Sequence, residues 1–286
     1  HSGKCVYINL EEDENKHFIS TGVLYDYLID IAEKNKPNKT YIFLDEISEV
    51  EDWEKTVNSL RTKDNIDVYV TGSNSKLLSG ELATYLTGRY VEIKMLPFSF
   101  REFVEVYHTK NIDEAFDAYL KFGGMPFLAH LNYQDVPSRD YLEDLYSSIL
   151  LKDIVQRHKV RDAELLSRII GYAVSESGHI ISAASIQRYL KSEKRSVAFD
   201  TVMNYLQFGK ESFLFDLVKR EDLMGKHILS VDEKVYAIDH GMRHAIVGGA
   251  ASRDIERTLE IIVFHELVRR GYEVRIGRVK EKEVDF

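Results

Sequence analysis

The run Tyr41-Ile42-Phe43-Leu44, followed at once by Asp45-Glu46, constrains this chain more than any other feature. Four bulky apolar residues in succession predict a strand buried on both faces, as in a parallel sheet covered by helices. Two carboxylates then stand at the strand's C-terminal end, where an open α/β sheet places its chemistry. One acid at such a place can hold a divalent metal and the next can orient or activate a water molecule. A buried strand that ends in a polar turn shows the same six residues, so the choice rests on what surrounds them.

The surroundings alternate. Residues 5–10 (CVYINL), 41–45, 67–71 (DVYVT) and 90–95 (YVEIKM) read as strands, and residues 25–33 and 53–60 read as helices. Trp53, Val57 and Leu60 share one helical face, so Trp53 reads as a packing residue. Strands that alternate with helices predict an α/β fold with a parallel, doubly wound sheet. Residues 100–158 turn helical, with a break at Gly123-Gly124-Met125-Pro126 and an amphipathic helix over 142–155. Helices then follow at 163–174, 182–190 and 197–208, the second opened by Ser182 as a cap. Strands at 213–218 and 234–238 flank a basic stretch, which completes the winged-helix order. A helix over 255–270, stopped by Gly271, leads into strands at 272–276 and 281–286. The expected division is 1–98 as an α/β core, 99–160 as a helical lid or linker, 161–247 as a winged helix, and 248–286 as the start of a further α/β domain.

Composition sets bounds. The chain has 286 residues with a net charge of −9, which argues against indiscriminate coating of nucleic acid. No apolar stretch approaches the roughly 18 residues needed to span a bilayer. With no signal peptide and a single cysteine, a cytoplasmic protein without membrane contact is expected. Cys5 is expected to be a small buried hydrophobe beside its strand. The chain begins at His1 without a methionine and stops at Phe286 inside an expected strand. It therefore reads as a portion of something longer.

One strand after Asp45-Glu46, a strand ends in Thr71-Gly72-Ser73-Asn74. A polar side chain at that tip can reach a γ-phosphate or the attacking water, and Ser73 and Asn74 are the candidates. An ordinary capping turn would use the same residues. Arg89, in Leu86-Thr87-Gly88-Arg89, is a candidate for stabilising transferred phosphate charge in cis or from a neighbouring subunit, against the alternative of a surface arginine. The phosphate-binding pattern G-x-x-x-x-G-K-[ST] does not occur. Gly3-Lys4 imitates its end, but Cys5 stands where a hydroxyl should bind Mg²⁺. Such a loop is expected upstream of His1.

The runs CVYINLEE, YIFLDEISEVEDWEKTVNSLR, VYVTGSNSKLLSGELATYLTGRYVEIKMLPFSFREF and FGGMP, then DTVMNYLQF, VYAIDHGMR and LEIIVFHELVRRGYEVRIG, form an ordered series over nearly the whole chain. The series resembles the AAA+ superfamily ATPases of bacteria and archaea that join a P-loop ATPase to a C-terminal region of unknown function. The resemblance implies ATP and Mg²⁺ as ligands, Asp45 as the Walker B metal acid and Glu46 as catalytic base. It also implies a sensor role at Ser73 or Asn74 and an arginine role for Arg89. The family's Walker A motif has no counterpart here, so the chain by itself is expected to bind ATP poorly or not at all. The alternative function is a non-catalytic DNA- or protein-binding module that keeps an ATPase fold as scaffold.

Glu283 and Asp285 are one residue apart in an expected strand and so share a face, and Glu260 on the preceding helix can face them. That is half of a PD-(D/E)XK metal-dependent nuclease site, whose E-x-K half is not in the chain. The resemblance supports this fold, with an active nuclease not expected in the chain itself. A solvated amphipathic strand is the competing reading. In the winged helix, Lys194 and Arg195, with Lys191, Lys219, Arg220 and Lys226, are the candidate DNA contacts. The helix beside them exposes Asp200, Thr201, Asn204 and Gln207, a weak endowment for DNA that leaves protein docking open. Oligomerisation is also left open. His179, His227, His240, His244 and His265 show no metal-ligand spacing and read as ordinary core or surface residues.

Overall fold

A computed structural model describes residues 3–73, 86, 88–222, 233–248, 254–279 and 282–286. The chain forms two compact units, residues 1–93 and 94–286.

The first unit holds a three-stranded parallel sheet of β1 (Lys4–Asn9), β2 (Thr40–Asp45) and β3 (Ile66–Val70), in that order. Helix α1 (Thr21–Lys34) joins β1 to β2, and α2 (Trp53–Leu60) joins β2 to β3. The two helices pack on each other and on one face of the sheet. Leu24, Leu28, Trp53, Val57 and Leu60 close over Val6, Ile8, Ile42, Leu44 and Ile66. Alternation with a period of two leaves the other residues of each strand on the opposite face. There Tyr7 and Tyr69 are exposed, and Phe43 stacks on Tyr69 with ring centroids 4.8 Å apart.

Three expectations change here. β2 is buried on one face and only half-buried on the other, and the sheet is not doubly wound among the described residues. Burial of both faces needs a second helical layer, and α1 and α2 supply only one. Cys5 is exposed, because its parity puts it on the open face with Tyr7. Residues 90–95 form no strand, and Val91, Ile93 and Met95 are exposed. Strand propensity alone does not hold a segment extended without a ladder partner.

The second unit begins with α3 (Phe100–Tyr107) and α4 (Ile112–Phe122), each opened by a side-chain cap. Ser99 and Glu102 form a reciprocal capping box, and the Asn111 side chain accepts from the Asp113 and Glu114 amides. Next comes α5 (Asp135–Ser148), which runs on as a π-helix over Ile149–Gln156 rather than as a continuous α-helix. The wider turn buries Leu150 and Ile154 while Leu151 stays exposed.

Helix α6 (Ala163–Ser175), strand β4 (Ile180–Ile181), α7 (Ala183–Ser192), α8 (Phe199–Glu211), β5 (Phe215–Asp222) and β6 (Glu233–Ala237) follow in order. Ser182 caps α7 by accepting from the Ser185 amide, as its sequence predicts. Helix α9 (His240–Val247) and α10 (Ile255–Arg269) lead to β7 (Ile276–Val279) and β8 (Lys282–Val284). The five strands lie in the order β4-β6-β5-β7-β8, antiparallel except for the parallel β5–β7 pair. β7 starts at Ile276 rather than at 272, because the ladder with β5 opens at the Arg220–Ile276 pair. Gly271, at φ 82°, closes α10 as expected. No helix among the described residues is long and apolar enough to cross a membrane.

The turn Gly123-Gly124 is bolted to the start of α9. The buried Asp239 carboxylate accepts from the Gly124 amide at 2.7 Å and from the Met242 amide at 2.8 Å. The buried His240 ring meets the Tyr119 carbonyl at 2.6 Å. One turn further along α9, burial, reinforced by the charges of His240 and Arg243, pushes His244 down to about 4. An unfolded histidine titrates near 6.5, so between these values the unfolded chain binds a proton that the folded chain refuses. This contribution is complete above about pH 6.5 and is lost as pH falls towards about 4, on the order of 3 kcal/mol in total. The urea midpoint of the second unit is therefore expected to fall between about pH 7 and about pH 5, and to fall less in His244→Asn. Equal slopes for the two proteins would remove His244 as the cause.

Candidate functional site

The C-terminal edge of the three-stranded sheet gathers the acids. Asp45 ends β2 on the open face, in register with Asn9 of β1. Tyr7 donates its phenol to Asp45 Oδ2 at 2.8 Å, and Thr71 donates its hydroxyl to Asp45 Oδ1. Both carboxylate oxygens are therefore held by hydroxyls, one from β1 and one from the residue that follows β3. The carboxylate in turn pushes the Tyr7 phenol above its ordinary value, chiefly through the hydrogen bond. Tyr7 and Asp45 meet because both are at odd positions of strands whose even positions face α1 and α2, and Thr71 follows β3 by one residue with the same parity.

Glu46 follows in the left-handed region, at φ 51° and ψ 52°. A non-glycine residue there carries local strain, of a kind that clusters at functional sites. Its amide donates to Thr71 Oγ1 at 3.2 Å, and the Ile47 amide donates to the Thr71 carbonyl at 3.2 Å. Thr71 thus fixes both Asp45 and the turn that carries Glu46. The sequence points to Ser73 and Asn74 at this tip; the structure adds Thr71, whose parity with Asp67 and Tyr69 is the one signal for it in the sequence. Ser73 is exposed two residues beyond Thr71, and Arg89 is exposed after a turn at Gly88 with φ 70°. Asn74 lies outside the described residues, as does the side chain of Glu283.

The donor set fits a hard cation. A single carboxylate at a strand tip, beside hydroxyl groups, suits Mg²⁺, which takes one or two carboxylates and fills its octahedron with water and phosphate oxygens. Asp45 is the residue that would hold the ion. Among the described residues no cluster of three or more histidine, cysteine, aspartate or glutamate side chains is poised to hold a metal by itself.

In the second unit Glu260 and Asp285 come together, but through a lysine. Lys234 Nζ lies 2.6 Å from Glu260 and 2.8 Å from Asp285. Sequence reasoning had no signal for Lys234, which sits in β6 and is 2% exposed. Lys194, at φ 60°, is exposed in the turn after α7, whereas Arg195 is engaged at 2.9 Å by Glu164. His227 and Lys226 lie outside the described residues, and His240 is buried in the core.

An AAA domain matches residues 1–104, and a domain of unknown function (DUF8612) matches residues 113–254. An uncharacterized protein of Haemophilus influenzae is 37% identical over 293 residues, covering 100% of this chain and 71% of that protein. An uncharacterized protein of Methanocaldococcus jannaschii is 30% identical, covering 98% of this chain and 65% of that protein. Among solved structures, a Walker-type ATPase of Pyrococcus abyssi superposes with a TM-score of 0.51 at 12% identity, covering 85% of this chain and 84% of that one.

Proposed function

The chain belongs to the same family as the Haemophilus influenzae protein and opens with an AAA domain, and from that premise we propose that its first unit is the acidic wall of an ATP-hydrolysing site. The P-loop ATPase-like fold supports the reading at the level of fold. The observation that carries it further is the Asp45 carboxylate, held on the open face of a parallel sheet by Tyr7 and Thr71, with Glu46 beside it in a strained turn.

Asp45 has the role of metal acid and Glu46 that of general base. Bound Mg²⁺ would neutralise phosphate charge. Tyr7 and Thr71 keep the Asp45 carboxylate from rotating away from the strand tip. Glu46 orients a water and accepts its proton as it attacks the γ-phosphate. Thr71, through the amides of Glu46 and Ile47, fixes where that carboxylate starts from. Ser73, Asn74 and Arg89 remain proposed phosphate-sensing residues on the strength of their order in the sequence.

We read α6, β4, α7, α8, β5 and β6 as a winged-helix module, from their order and the antiparallel β4-β6-β5 arrangement. In this reading the nucleotide state of the first unit biases the arrangement of the second. The test uses the full-length gene product and its Asp45→Asn variant. Mg²⁺-dependent ATP hydrolysis is expected to fall by about 10²-fold or more in the variant. Amide hydrogen exchange over residues 163–248 is expected to respond to ATP in the parent protein alone. Equal hydrolysis rates would remove Asp45 from the site, and exchange blind to ATP would remove the coupling.

A further inference from the structure

The pairing of Glu260 with Asp285 is the arrangement in which a metal-dependent nuclease would seat a divalent ion, yet the space between them already contains a cation. β6 alternates, so Lys234 and Tyr236 share the face turned towards α10, while Val235 and Ala237 face the larger core. Tyr236 stacks on Phe264 of α10 at 4.1 Å, and with Val218, Ile261 and Ile276 these form a small apolar core. Lys234 stands at the rim of that core, 2% exposed. Its ammonium reaches Glu260 Oε1 at 2.6 Å and Asp285 Oδ1 at 2.8 Å. Glu260 Oε1 also accepts the Tyr236 phenol at 2.8 Å. A cavity of about 850 Å³ opens beside the group, bordered by Gly178, His179, Arg257 and Asp254.

These residues do not fit a divalent metal. A metal binds carboxylate oxygen at about 2.0–2.6 Å and needs several such ligands or waters. Here the point between the two carboxylates is filled by an ammonium, bonded to Glu260 Oε1 and Asp285 Oδ1, with the Tyr236 phenol also on Glu260 Oε1. A buried lysine is stable only with its charge answered, and two carboxylates answer it. A second cation among the same oxygens would meet like charge at short range in a medium of low dielectric.

We propose that Lys234 is the resident cation of this site. It takes the place of a divalent metal, ties the segment after β8 to β6 and α10, and leaves the Glu260–Asp285 pair without metal affinity. Removing the ammonium frees two carboxylates at one point and creates a divalent-cation site.

The experiment titrates Mn²⁺ into the parent chain, Lys234→Ala and Lys234→Ala/Asp285→Asn, reading bound Mn²⁺ by electron paramagnetic resonance and the melting temperature in parallel. The parent is expected to bind no Mn²⁺ that depends on Asp285 at millimolar concentration. Lys234→Ala is expected to melt lower, to regain part of the loss with Mn²⁺, and to bind it at least tenfold more tightly than the parent. The added Asp285→Asn change is expected to abolish that gain. Binding to the parent that disappears in Asp285→Asn overturns the proposal. So does a folded Lys234→Ala that binds no better than the parent. Lys234→Met keeps the apolar stem and is read by the same criteria should the alanine variant not fold. Absence of Mn²⁺ binding there overturns the proposal as well.

Discussion

Gly241→Ala is expected to be among the most destabilising single substitutions in the second unit, costing about 3–5 kcal/mol. A methyl group at Gly241 would lie 1.9 Å from the Phe122 carbonyl oxygen, 2.3 Å from its carbon and 2.7 Å from the Gly123 amide nitrogen. All three are backbone atoms, so no side chain can rotate away. The turn they belong to is pinned on both sides, because the Phe98 amide donates to the Gly124 carbonyl at 2.7 Å and the Gly124 amide donates to Asp239 at 2.7 Å. The α4–α9 junction must therefore open, which strips Asp239 of the Gly124 amide and leaves it only the Met242 amide of its own helix. A buried carboxylate that loses a donor is costly in its own right. Gly171→Ala is the matching control within α6. A methyl there meets only the Tyr146 hydroxyl at 3.6 Å, and the gain in helix propensity is about 0.5–1 kcal/mol. Chemical denaturation of the two variants should move in opposite directions. A Gly241→Ala protein with the parent's midpoint would show that the junction is not rigid.

Glu46→Gln is expected to leave ATP binding by the full-length protein intact and to reduce its turnover by about 10²- to 10⁴-fold, the range of a general base. The change preserves size and hydrogen-bonding shape while removing the proton acceptor. The Glu46 amide, through which Thr71 fixes the turn, is untouched. A loss confined to turnover separates a base from a positioning residue, which would raise KM as well. Single-turnover hydrolysis beside equilibrium nucleotide binding makes the distinction. Equal single-turnover rates in parent and variant would assign the water-activating role elsewhere.

Much of the first unit was legible because its signals are local. Asp45 and Glu46 are announced by the four apolar residues before them, and α2 has the bounds its pattern predicts. Ser182 and Gly271 mark a helix start and a helix end by chemistry that acts within one turn. The failures are of another kind. Residues 90–95 have strand composition, but a strand exists only with a neighbour. Cys5 is exposed and the outer face of β2 only half-buried because burial depends on what lies above the sheet, which no single strand encodes.

The candidate sites divide in the same way. That Asp45 stands at the tip of a strand follows from the local pattern and needs no tertiary structure. That Thr71 and Tyr7 grip Asp45 depends on the register of three strands separated by whole helices. That Lys234 occupies the space between Glu260 and Asp285 depends on how α10 lies across β6 and where the chain returns 51 residues later. The sequence by itself determined which residues carry charge and which face of an element they occupy, because those properties repeat along a few neighbouring bonds. Only the tertiary structure decided which charges meet, because contacts across tens of residues are set by packing of the whole core rather than by any local pattern.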